Sequence, residues 1–316
     1  MRAYLLQRLA AMGLTLFGVS LLVFGMVRLI PGTVVEQLLG QAAMSSPEVV
    51  ASFRRFFAPD QPVHVQYLTW LGGLLRGDLG VSWLSGRPVL GLFLERVPVS
   101  AELAVLAVGW SLLLGIPLGT ASAVWGGGVR DGAIRVAATL GLSLPAFWQG
   151  AVLILLFSLY LGWMPSLSWV PFTRSPAENL AIMALPVLTL GTATAAMITR
   201  MARSSMLDVL GREYVRTARA KGVSEPRVTF HHALRNALIP VVTVAGVQLG
   251  YIVGGIVVVE DVFTLPGVGR LLLDAIFQRD YPVVQGVILI LAAVFMTLNL
   301  AVDLLYACID PRLRRG

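Results

Sequence analysis

Charge is scarce in this chain. Only 13% of its 316 residues are Asp, Glu, Lys or Arg, against roughly 25% in soluble domains, which argues against a soluble globular enzyme. Cysteine is scarcer still: Cys308 stands alone, so no intramolecular disulfide staples the fold. Lysine occurs once, at Lys221, and Gly222 follows it. A phosphate-binding loop of the Walker type needs Lys directly before Ser or Thr, so the chain carries no such nucleotide site, and no lysine lies at membrane depth for a Ser-Lys dyad. With histidine only at 64, 231 and 232, the zinc-protease pattern H-E-x-x-H is impossible. G-x-S-x-G is absent as well, because Gly141-Leu142-Ser143 runs on to Leu144-Pro145. Apolar residues are abundant instead, at 57% with a mean hydropathy of +0.80, which excludes a disordered chain. The formal charge of +7 does not by itself indicate nucleic acid, since with so few charges their placement outweighs their sign.

A membrane-crossing helix needs about 20 mostly apolar residues. Six windows without Asp, Glu, Lys or Arg meet that length: 9–27, 103–129, 136–173, 179–199, 236–259 and 281–302. Each is expected to be helical, because unpaired backbone groups cannot face lipid. In the third window Gly162, Trp163, Pro165, Trp169 and Pro171 predict that the helix ends near Leu161 and an interfacial loop follows. Residues 31–96 hold no such window, and their five basic residues balance five acidic ones, as on a solvated surface. The start resembles a secretory signal, but no A-x-A-like site follows the apolar run, so a retained signal-anchor helix is expected.

Six spans put both termini on one side. The segments on that side hold 15 of the 24 Lys and Arg residues, including eight between Arg200 and Arg235. The other side holds nine over longer loops, so the positive-inside rule places both termini in the cytoplasm. Ion-coupled carriers place ionisable groups at mid-membrane depth, and these spans carry almost none; Glu102 and Asp303 lie near helix ends. A self-sufficient carrier or channel working through backbone carbonyls at broken helices is the alternative reading.

The basic stretch from about 200 to 235 predicts two short helices. The first is made of good helix formers and stops at Gly222, which can adopt the left-handed C′ conformation. Ser224 would cap the second, with Glu225 and Pro226 in its first turn. His231 and His232 are adjacent, with no third histidine or C-x-x-C nearby, so packing or capping at the membrane entrance is expected rather than metal binding. Phe230, Leu234 and Leu238 would form the apolar stripe beside them. Gly115, Pro117, Gly119, Pro145, Pro186 and Gly191 lie within the spans, where such residues allow close packing or kinks.

The same stretch resembles the EAA loop of importer-type ABC permeases. Arg216-Thr217-Ala218 occupies the E-A-A place and Gly222 that of its glycine, with Arg standing where the pattern has Glu. Six other segments resemble the peptide-permease branch in the same order: Arg28 to Gly32, Gly77 to Ser82, Ser143 to Trp148, Leu161 to Pro165, Glu260 to Gly269 with Arg279 to Pro282, and Asp303 to Ala307 with Asp310 to Arg312. On this resemblance the chain is identified as a member of the B-type permease family of dipeptide, oligopeptide and nickel importers.

The resemblance implies an all-α integral membrane protein with a type I ABC importer core. Its parts would be a cytoplasmic N-terminus and first span (1–30), an extracytoplasmic region (31–96), a five-helix core (97–307) with the coupling loop at 208–232, and a tail (308–316). Arg216, Thr217, Ala218, Arg219, Ala220, Lys221 and Gly222 would contact an ATPase. Glu260, Asp261, Asp274 and Asp280 give the loop after the fifth span an acidic character and would touch a substrate-binding protein. The implied partners are a paralogous permease, two ATPases that carry ATP and Mg2+, and the binding protein, in a bacterial or archaeal cytoplasmic membrane. No cofactor or metal is implied on this chain, which is a non-catalytic subunit. Peptides are the implied substrate class, with nickel or glutathione as alternatives within the family.

The topology has a direct check. A cysteine at Ser46 should react with an impermeant thiol reagent in intact cells and one at Ser224 should not; the reverse pattern overturns the orientation.

Overall fold

The computed structural model describes residues 2–29, 61–163 and 168–309. The expectations for residues 30–60, for Met164 and Pro165, and for the tail beyond Ile309 lie outside the described residues. Among these residues the chain is helical apart from loops and one isolated β-bridge between Val81 and Pro88. In chain order the helices are α1 (Arg2–Arg28), α2 (Val63–Leu75), α3 (Val89–Val124), α4 (Val129–Ser143), α5 (Ala146–Leu161), α6 (Pro176–Leu210), α7 (Glu213–Ala220), α8 (Leu234–Val262), α9 (Val268–Phe277) and α10 (Tyr281–Ile309). Five helical stretches are long and apolar enough to cross a membrane, and a sixth crossing results if α4 and α5 count as one span.

That pair departs from the expected single helix. α4 and α5 meet at an angle of 109°. Pro145 disfavours the helical conformation in the residue before it, and Leu144 is extended at φ −84°, ψ 125°. α4 therefore stops at Ser143 and α5 starts anew after Pro145. The far end of α5 is where the sequence puts it: Gly162 is left-handed at φ 59° and caps the helix.

The chain divides into two compact units, Met1–Ser100 with Pro266–Thr297, and Ala101–Leu265 with Leu298–Gly316. In the first, Val89, Phe93, Val268, Ala275, Val283 and Val287 form a buried core. Polar groups fix its pieces. The Tyr67 and Ser20 hydroxyls are hydrogen-bonded at 2.7 Å, and Gln285 Nε2 donates to the Val23 carbonyl at 3.0 Å, tying α2 and α10 to α1.

The second unit is built around α6, the most buried of the candidate spans. Lipid supplies no hydrophobic force between helices, so close approach of small residues must hold them. A Cβ on Gly115 of α3 would lie 2.8 Å from the Ala195 carbonyl oxygen of α6, and one on Gly119 would lie 2.5 Å from that of Thr199. From the other side, a Cβ on Gly191 would meet Trp110 at 2.8 Å. Pro186 and Pro240 are accommodated inside α6 and α8 without ending them.

Gly119→Ala should therefore push the α3 and α6 backbones apart, at a cost of about 1–3 kcal/mol. Gly109→Ala, with nothing within 4 Å of the added atom, should be neutral. Thermal unfolding of the purified protein in detergent compares them, and equal melting temperatures would disprove the close contact.

Candidate functional site

Leu210 ends α6, and Arg212 is extended at φ −77°, ψ 149°, which turns the chain into α7. Glu213 in its first turn and Arg219 in its last complement the helix dipole. An eight-residue helix is nevertheless marginal by itself, so packing must hold it. Val215 is fully buried and joins Ala123, Met206, Val209, Val228, Ala233 and Ala237 in one apolar cluster. Asn236 Nδ2 donates to the Tyr214 hydroxyl at 2.9 Å and to the His232 carbonyl at 3.0 Å. The short helix is thus seated against the ends of α3 and α6 and the approach to α8.

Its C-terminus confirms the left-handed glycine. Gly222 has φ +80°, its N–H donates to the Arg219 carbonyl at 2.9 Å, and the Val223 N–H donates to that of Ala218 at 3.2 Å. These two bonds define a Schellman motif, and Val223 just beyond it packs against the cluster that buries Val215. Nothing lies within 4 Å of a Cβ added at Gly222, so backbone conformation alone asks for glycine there.

Of the residues expected to contact a partner, Arg216, Thr217, Arg219, Ala220, Lys221 and Gly222 are exposed and Ala218 is half-buried. Two of the basic side chains are already paired. Arg219 forks onto Glu225, with Nε to Oε1 at 2.7 Å and Nη2 to Oε2 at 3.2 Å. Arg216 Nη1 donates to Glu213 Oε1 at 3.0 Å.

The entry to α8 corrects the expected second helix. Ser224 stands at the cap position, but its side chain makes no capping bond; its carbonyl accepts the Val228 N–H at 2.9 Å. After one turn at Glu225–Arg227 comes a π-turn, Val228–Ala233, that runs directly into α8. The wider turn sets Val228 and Ala233 on one face, and Ala237 and Val241 continue it at α-helical spacing; all four are buried. Phe230, expected in the apolar stripe, is instead 65% exposed, because the π-turn shifts the register. The His231 and His232 rings meet edge-on at 5.2 Å.

Sequence reasoning missed one group altogether. Asp131, in the first turn of α4, is 1% exposed. Its Oδ1 accepts from Ser122 Oγ at 2.5 Å and Arg203 Nε at 2.8 Å, and its Oδ2 from Arg203 Nη2 at 2.8 Å and the Gly127 N–H at 3.1 Å. Arg203 and Asp131 are 72 residues apart. The only sequence signal was a lone carboxylate in an otherwise basic connection between two apolar windows.

The four carboxylates expected to touch a binding protein separate into two kinds. Asp261 and Asp274 are exposed, whereas Glu260 is fully buried and Asp280 is 3% exposed. Asp280 precedes α10 and accepts from Ser82 Oγ at 2.5 Å and the Trp83 N–H at 3.1 Å. Burial pushes its carboxyl above its ordinary value, and these hydrogen bonds pull it back. Counting charges along a loop cannot see that two of them turn inward. Glu102 is half-buried, and its Oε2 accepts from Trp169 Nε1 at 3.1 Å.

In the second unit, apolar helices of membrane-spanning length carry one short amphipathic helix seated where α3, α6 and the approach to α8 meet. Residues 115–315 match the family described as binding-protein-dependent transport system inner membrane component, and residues 1–105 match its N-terminal membrane component. The chain belongs to this family and is a multi-pass membrane permease subunit of such a system, not an enzyme. Among its relatives, the glutathione transport system permease protein GsiC of Salmonella typhi is 42% identical over 311 residues, 98% of each chain. A putative peptide transport system permease protein of Brucella abortus (strain 2308) is 42% identical over 314 residues, 99% of each. In fold, the chain is similar to the MetNI methionine ABC transporter in inward-facing form, with a TM-score of 0.57 at 17% identity over 70% of this chain and 97% of that one. Its likeness to a crystal structure of an amino acid ABC transporter with histidines has a TM-score of 0.50 at 16% identity, over 71% and 94%.

The Gly222 turn yields a graded prediction. A side chain there is strained by on the order of 1–2 kcal/mol, and Asn tolerates the left-handed region best. Transport should fall in the order Gly, Asn, Ala, Val, with membrane levels near normal; equal uptake from all four forms would sink the assignment.

Proposed function

We propose that this chain forms half of the translocation pathway of an ATP-driven importer of peptides, with glutathione, itself a tripeptide, among them. Full-length identity to permeases named for glutathione and for peptides supports this substrate class. The other half is a paralogous permease. α7 and the turn at Gly222 face the cytoplasm and dock in a groove of one of two ATPases, which carry ATP and Mg2+. Both termini lie on that side, and Asp261 and Asp274 lie on the opposite one, against a substrate-binding protein.

The observation that carries this reading is the seating of α7. A docking element transmits force only if it cannot pivot on its own base, and Val215, buried with Met206, Val209 and Val228, removes that freedom. The permease itself carries no Walker-type phosphate-binding loop, which fits an energy supply on partner subunits. Reconstitution with its paralogous permease, ATPases and binding protein tests the whole reading. ATP-dependent accumulation of labelled glutathione or dipeptide is the expected result, and uptake by the permease alone down an ion gradient would reverse it.

The charges can be examined separately. Because Arg219 is paired with Glu225, Arg219→Glu should lower uptake and Arg219→Glu with Glu225→Arg should recover most of it. Reversing Arg216, Arg219 and Lys221 together should release the ATPase from the purified complex. Unchanged ATPase retention in the triple variant would refute a docking role for these charges.

A further inference from the structure

Asp131 binds more elements than its place in the chain requires. Its two oxygens collect four donated hydrogen bonds, from Ser122 on α3, Gly127 in the connection, and both fork nitrogens of Arg203 on α6. Desolvation makes a buried ion pair a poor device for stability alone, since well-packed apolar residues serve as well or better. What a forked pair supplies is orientation: two parallel bonds set both the distance and the rotation of α4 against α6.

The surroundings say why that orientation matters. The covalent link between α3 and α4 contains Gly126, Gly127 and Gly128, with Gly127 left-handed at φ +80°. The turn is closed by its own hydrogen bonds, Gly126 N–H to the Ala123 carbonyl and Gly128 N–H to that of Trp125, but its three glycines carry no side chain to brace α4 against its neighbours. Ser122 adjoins Ala123, and Arg203 lies three residues before Met206; Ala123 and Met206 both pack in the cluster that buries Val215 of α7. The helix ends that seat the projection are therefore the same ones that hold Asp131. Beyond Asp131, α4 leads to the 109° break and α5.

We propose that Asp131 is a positioning residue, the joint through which movement of α7 and its seat reaches the broken pair α4–α5 and so the pathway. This rests on the reading of α7 as the ATPase-docking element. With the joint intact, α3, α4 and α6 move together when α7 is displaced. Without it, the packing of Gly141 on Thr192 and Ala196 still holds the far half of α4 to α6, but the first turn of α4 is free to lag, and ATP is hydrolysed with little substrate delivered.

The test uses the complete transporter in lipid vesicles, with wild type, Asp131→Asn, Arg203→Lys, and the double variant Asp131→Leu with Arg203→Met, which fills the site with apolar side chains. The readouts are substrate taken up per ATP hydrolysed, and the melting temperature and yield of the assembled complex. The double variant should assemble and melt near the wild type, while substrate per ATP falls about tenfold, within the usual range of coupling between sites. Arg203→Lys, which keeps the charge but loses the fork, should fall between the two. An unchanged ratio in the assembled double variant overturns the proposal. So does a loss of uptake that merely follows the amount of assembled complex, because a purely structural pair would leave the ratio alone. Gly222→Val in the same vesicles separates the two readings. If it keeps the wild-type ratio while the Asp131 variants lose theirs, the docking role of α7 is wrong and what stands is the coupling of α4 to α6 through Asp131, driven from elsewhere; if only Gly222→Val loses it, the joint is wrong.

Discussion

Backbone contact between α3 and α6 is the constraint on which the larger unit depends. Gly115 and Gly119 leave no room for a Cβ against the carbonyls of Ala195 and Thr199, and Gly191 leaves none against Trp110. Where lipid tails are as apolar as leucine, such approach replaces the hydrophobic effect as the source of specificity. α6 is thereby held along its length and runs on to Leu210 with its end fixed in direction. The seating of Val215, the turn at Gly222 and the fork from Arg203 all hang from that one rigid helix.

The order of elements then has a physical logic. α7 could not persist as a free helix of eight residues, yet its amphipathic pattern leaves one apolar side chain for burial and a polar face outward. The π-turn at Val228–Ala233 lets the chain return to the cluster and enter α8 without a break. Such insertions concentrate at functional sites, and this one lies directly beneath the projection. Pairing of Arg219 with Glu225 ties the two sides of the turn at Gly222 together.

Legibility in the sequence followed the range of the interaction. The spans could be read because a bilayer imposes length and apolarity locally, and Gly222 because chirality penalises any other residue in that conformation. Gly162 and Pro145 were visible as helix ends or kinks for the same reason, although the size of the bend at Leu144 was not. Asp131 was invisible because its partners Ser122 and Arg203 come from two other helices. Glu260 and Asp280 looked like surface charges because burial is a property of the folded unit and not of the loop. The exposure of Phe230 depended on a π-turn that no residue in Val228–Ala233 announces.

Lys221 is the only lysine in the chain, and it sits exposed at the C-cap of α7, one residue before the left-handed glycine. The protein therefore carries a single side-chain amine, placed on the element proposed to dock on an ATPase. Once the N-terminal amine is blocked, an amine-acylating reagent has one address on the native permease, and a fluorophore attached there would report on that element without any engineered residue.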